Sequence, residues 1–407
     1  MPLTLAAMLV YYDGNCRLET VMRLALFFFL TILTACAVRE QVDFVQGPPA
    51  PGAILRPVLV ATTRSPDPNQ PVPGWERSFD VSYGRYTVSI PPNRELGEVP
   101  RPREHSPALP EEHFMLASAE VLSELQFQGA VRANLAQLPA AEREAVIFVH
   151  GFNTAFIEGV YRTAQFANDL RIPGVLMHYS WPSLGAPLAY AHDRDSALFA
   201  RDGLIQMLQQ VRAAGPRRII VMAHSMGSHL VMEALRQMAL THDPTMASIG
   251  GVFLISPDVD VQLFRQQVEA IGTLPEPFVI ITSQRDRVLT LSARLTGETA
   301  RLGNIPDATP VEGLNVTLLD VSAFSRGGGH FTVGSSPALI GLLDQMQSVN
   351  TALSDEASGS LPLLPATILT LQNSTQIILQ PLTDSGARRV IPWWLRPGSA
   401  SAATTTE

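Results

Sequence analysis

The chain has 407 residues, of which 46% are hydrophobic, so it is long enough for one large domain or two domains of ordinary size. Its formal net charge of −8 is spread without long runs and argues against nucleic acid as a partner, which requires basic patches. Both cysteines, Cys16 and Cys36, lie near the N-terminus, which excludes a disulfide framework or a thiolate metal site in the rest of the sequence.

Residues 1–36 are typical of a signal segment. The apolar stretch Leu24–Ala35 is too short for an ordinary transmembrane helix, and it ends in Leu33-Thr34-Ala35-Cys36, which resembles a bacterial lipobox with a lipidated cysteine. We therefore expect a lipid anchor at Cys36. Because Ala37 follows the cysteine, this resemblance implies a bacterial envelope protein, anchored in the outer membrane and facing the periplasm. Secretory cleavage after Ala37 is the alternative.

The next hundred residues begin with a segment rich in proline and glycine, 37–54, which we interpret as a tether. Alternating apolar residues predict a strand at Pro57–Thr63 and one or two strands at Phe79–Ile90. The proline-rich and charged residues 91–110 predict a loop, and Leu116–Leu138 predicts a helix.

Strands and helices then alternate strictly, which predicts an α/β fold with a mostly parallel central sheet covered by helices on both faces. The predicted strands are Ala145–Val149, Val175–Tyr179, Arg218–Met222, Val252–Ile255, Phe278–Thr282 and Val316–Val321. The predicted helices are Ala155–Leu170, Tyr190–Ala213, the run after Ser225, Val261–Ile271, Val288–Leu302 and Pro337–Met346.

The last part of the chain, residues 351–407, is rich in Ser, Thr, Ala and Pro and carries few charges. It predicts a flexible or loosely docked extension, in which Gln372–Leu379 has the pattern of a strand. The predicted α/β domain therefore covers residues 55–350.

The most informative motif is Ala223-His224-Ser225-Met226-Gly227, between a predicted buried strand and a predicted helix. A serine flanked two residues away on each side by a small residue is typical of a sharp strand-to-helix turn. Such a turn exposes the hydroxyl at a helix N-terminus, where negative charge is favoured. The motif predicts a nucleophile elbow and therefore a serine hydrolase; the alternative is a serine that only caps its helix.

With this elbow, residues 56–349 resemble the α/β-hydrolase superfamily, and within it an uncharacterised bacterial esterase/lipase-like group. The other runs that carry the resemblance are Phe148-Val149-His150-Gly151-Phe152-Asn153-Thr154, Tyr179-Ser180-Trp181-Pro182-Ser183 and Ser256-Pro257-Asp258-Val259-Asp260. The resemblance implies the α/β-hydrolase fold. The stretch between Ile255 and Phe278, where related enzymes insert a cap domain, has room for about one helix, so we expect no large cap domain and an open site.

The resemblance also implies a catalytic triad in the chain order serine, acid, histidine. Ser225 is then the nucleophile, and Asp286, just after the next-to-last strand of the series, is the acid. His330 is the base, in the loop after the last strand of that series, behind three glycines. Asp258 and Asp260, and less strongly Asp320, remain alternatives for the acid.

The backbone N–H groups of Phe152 and Met226 are the implied oxyanion hole. Asn153 and Trp181 are candidates for the substrate pocket, and a core position is the alternative for Trp181. His224 is expected to point away from the nucleophile and to play a supporting part. The sequence contains no metal-binding, phosphate-binding or dinucleotide-binding motif, and we expect no metal and no cofactor.

Together these features predict a serine-dependent carboxylic ester hydrolase that acts on a small acyl ester. One alternative is an acyltransferase or amidase that acts on envelope material. The other is a non-catalytic envelope lipoprotein that uses the fold for binding, since a fold alone does not prove activity. The sequence gives no indication of the oligomeric state.

Overall fold

The computed structural model describes residues 42–45, 48–103, 106–172, 174–298, 300–325, 330–340, 366–371 and 374–379. The predicted signal segment, its lipobox cysteine Cys36 and most of the tail lie outside the described residues. Of the helices that are described, none is long and apolar enough to cross a membrane.

Eleven strands and eight helices are named here from the described part of the chain. The strands are β1 Ile54–Arg64, β2 Arg77–Ile90, β3 Met115–Leu122, β4 Ala145–Val149, β5 Val175–Ser180, β6 Ile219–His224, β7 Ile249–Ile255, β8 Phe278–Thr282, β9 Thr317–Asp320, β10 Ala366–Leu371 and β11 Ser374–Leu379. The helices are α1 Glu124–Ala136, α2 Phe156–Asp169, α3 Tyr190–Phe199, α4 Arg201–Ala214, α5 Met226–Leu240, α6 Val261–Ile271, α7 Arg287–Thr296 and α8 Thr332–Ser335. Residues 337–340 are also helical.

All these strands form one sheet in the order β10-β11-β9-β8-β7-β6-β4-β5-β1-β2-β3. Neighbours from β1 through β5, β4, β6, β7, β8 and β9 to β11 pair in parallel. The pairs β1–β2, β2–β3 and β10–β11 are antiparallel. The predicted α/β fold with a mostly parallel sheet is confirmed. Because parallel strands end at the same edge of a sheet, the loops after β4, β6, β8 and β9 lie at one edge, where such folds bind ligands.

Helices cover both faces of the sheet. The side chains of β1 show how the apolar residues of a strand are divided between the two faces. Leu59 and Ala61 belong to the largest apolar cluster, whereas Val58 and Val60 belong to a second cluster that includes side chains of α2. Alternate residues of a strand point to opposite faces, so the two clusters are separate cores. All five residues of β4 are buried, as expected for a strand covered on both sides.

One predicted element is wrong: the first half of the helix expected at Leu116–Leu138 is strand β3. The helix begins only after Ser123, which forms a capping box with Gln126. The Ser123 Oγ accepts the Gln126 N–H at 3.3 Å, and the Gln126 Oε1 accepts the Ser123 N–H at 2.8 Å. The residues before this cap form a strand because β2 offers them a hydrogen-bonding partner along Tyr83–Ser89, which a local pattern does not reveal.

Further differences concern element boundaries, and the first is that the helix expected at Val288–Leu302 already ends at Thr296. The helix expected at Tyr190–Ala213 is divided at Ala200 into α3 and α4. The sheet also extends past residue 350, where the predicted domain ended, because β11 pairs in parallel with β9 and β10 pairs with β11. The strand expected within Gln372–Leu379 corresponds to β11.

A glycine allows α2 to pack closely on β5. A Cβ atom placed at Gly159 would lie 2.4 Å from the Nε2 of His178, which is fully buried. His178 is held in place by its Nδ1–H, which donates to the Phe148 carbonyl at 3.1 Å. The contact between α2 and the sheet therefore depends on the absence of a side chain at residue 159.

We predict that Gly159→Ala lowers the free energy of unfolding by about 1–3 kcal/mol, because the added methyl group overpacks a core that cannot yield. The matched control is Gly129→Ala on α1, where an added Cβ has no atom within 4 Å. It should raise the free energy of unfolding by about 0.5–1 kcal/mol, since alanine favours helix. Urea titration followed by circular dichroism measures both. Equal effects of the two variants would contradict the close packing of α2 on β5.

Candidate active site

The turn at Ser225, between β6 and α5, has a strained backbone. Ser225 has φ of 51° and ψ of −122°, a region that residues with a side chain rarely adopt. Its side chain makes no capping hydrogen bond to α5, so it is not a simple helix cap. Strain of this kind persists only where the surroundings enforce it, and it is concentrated at functional sites.

The enforcing contacts come from the loop after β4, which lies directly against the turn. A Cβ at Gly227 would lie 2.3 Å from the His150 carbonyl oxygen. A Cβ at Gly151 would lie 2.7 Å from the His224 Nδ1 and 2.9 Å from the Ser225 Cβ. The two backbones approach this closely only because both positions are glycine.

His150 and Trp181 hold the start of the β4 loop. Their rings stack with centroids 4.7 Å apart, and the Trp181 indole N–H donates to the His150 carbonyl at 2.8 Å. Burial, with a smaller contribution from His178 and Arg64, lowers the pKa of His150 well below its usual value, so the ring is neutral at neutral pH. Trp181 is fully buried and packs in the largest apolar cluster, which is the core position that the sequence left open as the alternative to the substrate pocket.

The other end of the loop depends on two charged side chains whose importance the sequence did not reveal. Asp193 is fully buried and accepts hydrogen bonds from the Asn153 N–H at 3.3 Å and the Ser183 Oγ at 2.5 Å. Arg64, also fully buried, donates to the Thr154 carbonyl at 2.9 Å. Asn153, the other predicted pocket residue, has φ of 53° and is partly buried in this loop.

The two N–H groups predicted to form the oxyanion hole flank this contact between loop and turn. Phe152 follows Gly151, and within the described part of the chain its N–H has no hydrogen-bond acceptor. Met226 follows Ser225 as the first residue of α5, where an N–H has no acceptor within the helix. Neither N–H therefore has an acceptor among the described residues, and both belong to residues next to this contact.

The predicted acid and base are brought together by a hydrogen bond. The His330 Nδ1 lies 2.8 Å from the Asp286 Oδ2, and the Asp286 side chain is fully buried. Its other oxygen, Oδ1, accepts the Leu289 N–H at 3.0 Å and so caps α7. Asp286 thus caps the helix with one oxygen and contacts His330 with the other. These two contacts fix the position of the Asp286 side chain. The glycines before His330 lie outside the described residues.

His224, the residue before Ser225, links the turn to His330. Its Nε2–H donates to the His330 carbonyl at 3.1 Å, and the two ring centroids are 4.8 Å apart. Burial, and then the nearby charge of His330, lower the pKa of His224 well below its usual value, so it stays neutral. His224 therefore positions the backbone of His330 next to the turn that carries Ser225.

The alternative acids are occupied elsewhere. Asp258 accepts hydrogen bonds from the Ser292 Oγ at 2.7 Å and the Tyr190 hydroxyl at 3.0 Å, and it pairs with Arg301 at 3.1 Å. Asp260 caps α6, and Asp320 accepts from the Ser322 N–H at 2.8 Å. Of the described carboxylates, Asp286 is the one that the His330 ring contacts within hydrogen-bond distance.

Metal binding has no support in the described residues, where no three His, Cys, Asp or Glu side chains are arranged to hold an ion. The groups that this site offers are a hydroxyl, an imidazole, a carboxylate and backbone N–H donors. These are the groups required for acyl transfer through a covalent intermediate.

Comparison with known proteins identifies a family. The family model described as "Alpha/beta hydrolase of unknown function (DUF900)" matches residues 126–344. No curated protein matches the chain.

Several solved hydrolase structures are distantly similar. A predicted CIB-like hydrolase from Thermoplasma acidophilum is 17% identical, with a TM-score of 0.33, over 52% of this chain and 89% of that one. Lipase B from Aspergillus fumigatus is 18% identical, with a TM-score of 0.33, over 54% and 57%. One of two esterases from Rhizomucor miehei is 12% identical, with a TM-score of 0.32, over 79% and 89%. These likenesses are too distant to bear on the activity.

Buried neutral histidines make the stability depend on pH. Burial lowers the pKa of His178 from 6.5 to about 3, so between these values the unfolded chain binds a proton that the folded chain does not. The free energy of unfolding therefore falls as the pH drops below 6.5. Each such histidine contributes a slope of up to about 1.4 kcal/mol per pH unit.

We predict that His178→Asn, whose amide can still donate to the Phe148 carbonyl, flattens this slope by about 1.4 kcal/mol per pH unit between about pH 6 and pH 5. His242→Gln, at an exposed position, is the control and should leave the slope unchanged. Urea unfolding at a series of pH values measures it. A slope identical in His178→Asn and in the unsubstituted protein would contradict a neutral buried His178.

Proposed function

Because the chain belongs to the DUF900 family of alpha/beta hydrolases, we propose that it is a serine-dependent hydrolase of carboxylic esters, with Ser225, His330 and Asp286 as its catalytic triad. The observation that carries the proposal is the hydrogen bond between His330 and Asp286, tied by His224 to the strained turn of Ser225.

The first step is activation of the Ser225 hydroxyl, which is a weak nucleophile by itself. Asp286 can only accept at its Oδ2, so the His330 ring carries its proton on Nδ1 and leaves Nε2 free to act as a base. As the Ser225 Oγ attacks the acyl carbonyl carbon, its proton passes to the His330 Nε2. The buried Asp286 carboxylate then stabilises the imidazolium that forms.

The attack places negative charge on the carbonyl oxygen. The N–H groups of Phe152 and Met226 stabilise this oxyanion, and the N-terminus of α5 adds a favourable dipole. The intermediate collapses as the C–O bond to the alcohol breaks and His330 protonates the leaving oxygen. A water molecule, deprotonated by His330, then releases the acyl group from Ser225 by the same steps.

An open site suits the hydrolysis of a small acyl ester better than the hydrolysis of lipids at an interface. The chain between β7 and β8, where related enzymes insert a cap domain, contains α6 and no larger insertion. The lipid anchor at Cys36 and the outer-membrane location lie outside the described residues and stay predictions.

We predict that Ser225→Ala lowers kcat for 4-nitrophenyl acetate by about 10³–10⁶-fold, because the nucleophile is lost, while the cooperative unfolding transition is retained. The control is Ser228→Ala on the first turn of α5, whose buried hydroxyl donates to the Ala223 carbonyl at 3.2 Å. It should keep turnover. Undiminished hydrolysis by Ser225→Ala would rule out Ser225 as the nucleophile.

Two aspartates provide a matched test of the acid. Both cap a helix, Asp286 at α7 and Asp260 at α6, and asparagine caps as well as aspartate. We predict that Asp286→Asn lowers kcat by about 10³–10⁴-fold, because the ring of His330 loses its orienting anion and its correct tautomer. Asp260→Asn should change kcat less than about threefold. Similar losses of kcat in both variants would mean that Asp286 affects activity only by capping α7 and not by orienting His330.

A further inference from the structure

A cavity of about 300 Å³ lies beside the turn of Ser225. Its lining includes Gly151 and His224, which lie next to Ser225, together with Arg101, Arg162 and the carboxylate of Glu158. Its volume is at the lower end of the range for small-molecule sites, about 300–1,000 Å³. The cavity is therefore large enough for part of a small substrate whose ester is cleaved at Ser225.

Arg162, on α2, is a largely buried cation with unused donors. Its Nη1 donates to the Gly97 carbonyl at 3.1 Å, the Gly334 carbonyl at 3.2 Å and the Gln165 Oε1 at 3.0 Å, all neutral acceptors. Its guanidinium lies over the Phe331 ring at 4.6 Å. Its Nε and Nη2 have no acceptor among the described residues, and no described carboxylate lies within ion-pair distance.

The charges around Arg162 do not balance. The two nearby carboxylates are each paired with another arginine: Glu158 with Arg101, and Asp169 with Arg94. Of the charged groups that act on Arg162, Arg94 and Arg101 are thus each paired with a carboxylate, and Arg162 has no ion-pair partner among the described residues. Burial lowers the pKa of Arg162 to about 10, so it remains a cation at neutral pH.

The histidines of the cavity do not change this balance. Burial lowers the pKa of both His150 and His224 well below the usual value, so neither ring adds charge at neutral pH. A buried cation without an anion is costly unless a ligand or water satisfies it. The hydrogen bond from Arg162 to the Gly334 carbonyl, four residues after His330, uses the Nη1 group alone. The Nε and Nη2 groups therefore leave three N–H donors for a ligand.

We propose that this cavity is a subsite for an anionic group of the substrate, and that Arg162 and Arg101 bind it. The substrate class is then an ester whose acyl or alcohol part ends in a carboxylate or a similar anion. Guanidinium groups hold such anions by paired, charge-assisted hydrogen bonds. The cleavage of that ester rests on the proposed function, whereas the binding of the anion does not.

Two substrate pairs test the subsite. 4-Nitrophenyl hydrogen succinate and 4-nitrophenyl butyrate have acyl chains of equal length, and the first carries a carboxylate in place of a methyl group. 4-Acetoxybenzoate and its methyl ester place the difference on the alcohol side, where the first has a free carboxylate and the second a neutral methyl ester. The quantity measured is kcat/KM for the anionic ester divided by kcat/KM for its neutral partner, so that any general loss of activity cancels.

We expect Arg101→Gln and Arg162→Gln each to lower this ratio at least tenfold for one of the two pairs, chiefly through KM. The pair that responds identifies the side of the ester that carries the anion. The control is Arg85→Gln, which removes an exposed arginine paired with Glu120 on the β2–β3 edge and should leave both ratios unchanged. Ratios that neither cavity variant alters would overturn the proposal.

Binding to the Ser225→Ala protein separates this proposal from the proposed function. In calorimetry, monomethyl succinate should bind at least tenfold more tightly than methyl butyrate. Arg162→Gln or about 0.5 M salt should abolish the difference. Equal binding of the two esters would refute the subsite even if Ser225 is the nucleophile. If the anionic ester binds preferentially but turnover does not depend on Ser225, the subsite proposal stands and the proposed esterase activity is refuted.

Discussion

The site depends on one steric constraint, the contact between the turn at Ser225 and the loop after β4. The positive φ of Ser225 is maintained because the chain on either side is held within van der Waals distance of that loop. A methyl group at Gly227 or Gly151 would lie within 3 Å of an atom across the contact. This approach holds the loop that carries Phe152 against the turn that carries Ser225 and Met226.

The second half of the site comes from distant parts of the chain, which the parallel sheet brings to the same edge. Asp286 follows β8 and His330 lies after β9, yet their side chains are hydrogen-bonded, and the His330 carbonyl accepts from His224 at the turn that follows β6. The buried charge of Asp286 is stabilised by the Leu289 N–H at the start of α7 and by the His330 ring. The carboxylate that caps α7 is therefore also the one that holds the His330 ring.

Local patterns in the sequence predicted the centre of this structure and missed its edges. β4 and β8 have the predicted bounds because buried strands are continuous apolar runs, and the turn was marked by the small residues around Ser225. β3 was missed because its stability comes from pairing with β2, far along the chain. The roles of Asp193 and Arg162 were missed as well, since a charged residue on a helix has the same local pattern whether it faces solvent or a buried loop.

The most direct test of the central claim is to find which atom becomes covalently modified. The folded protein is reacted with a fluorophosphonate, an analogue of the tetrahedral intermediate, and the modified peptide is mapped by tandem mass spectrometry. The account predicts one adduct, on the Ser225 Oγ, because it assigns His330 as the base for this hydroxyl and the Phe152 and Met226 N–H groups as its oxyanion site. An unlabelled protein, or an adduct on another serine with Ser225 unmodified, would contradict it.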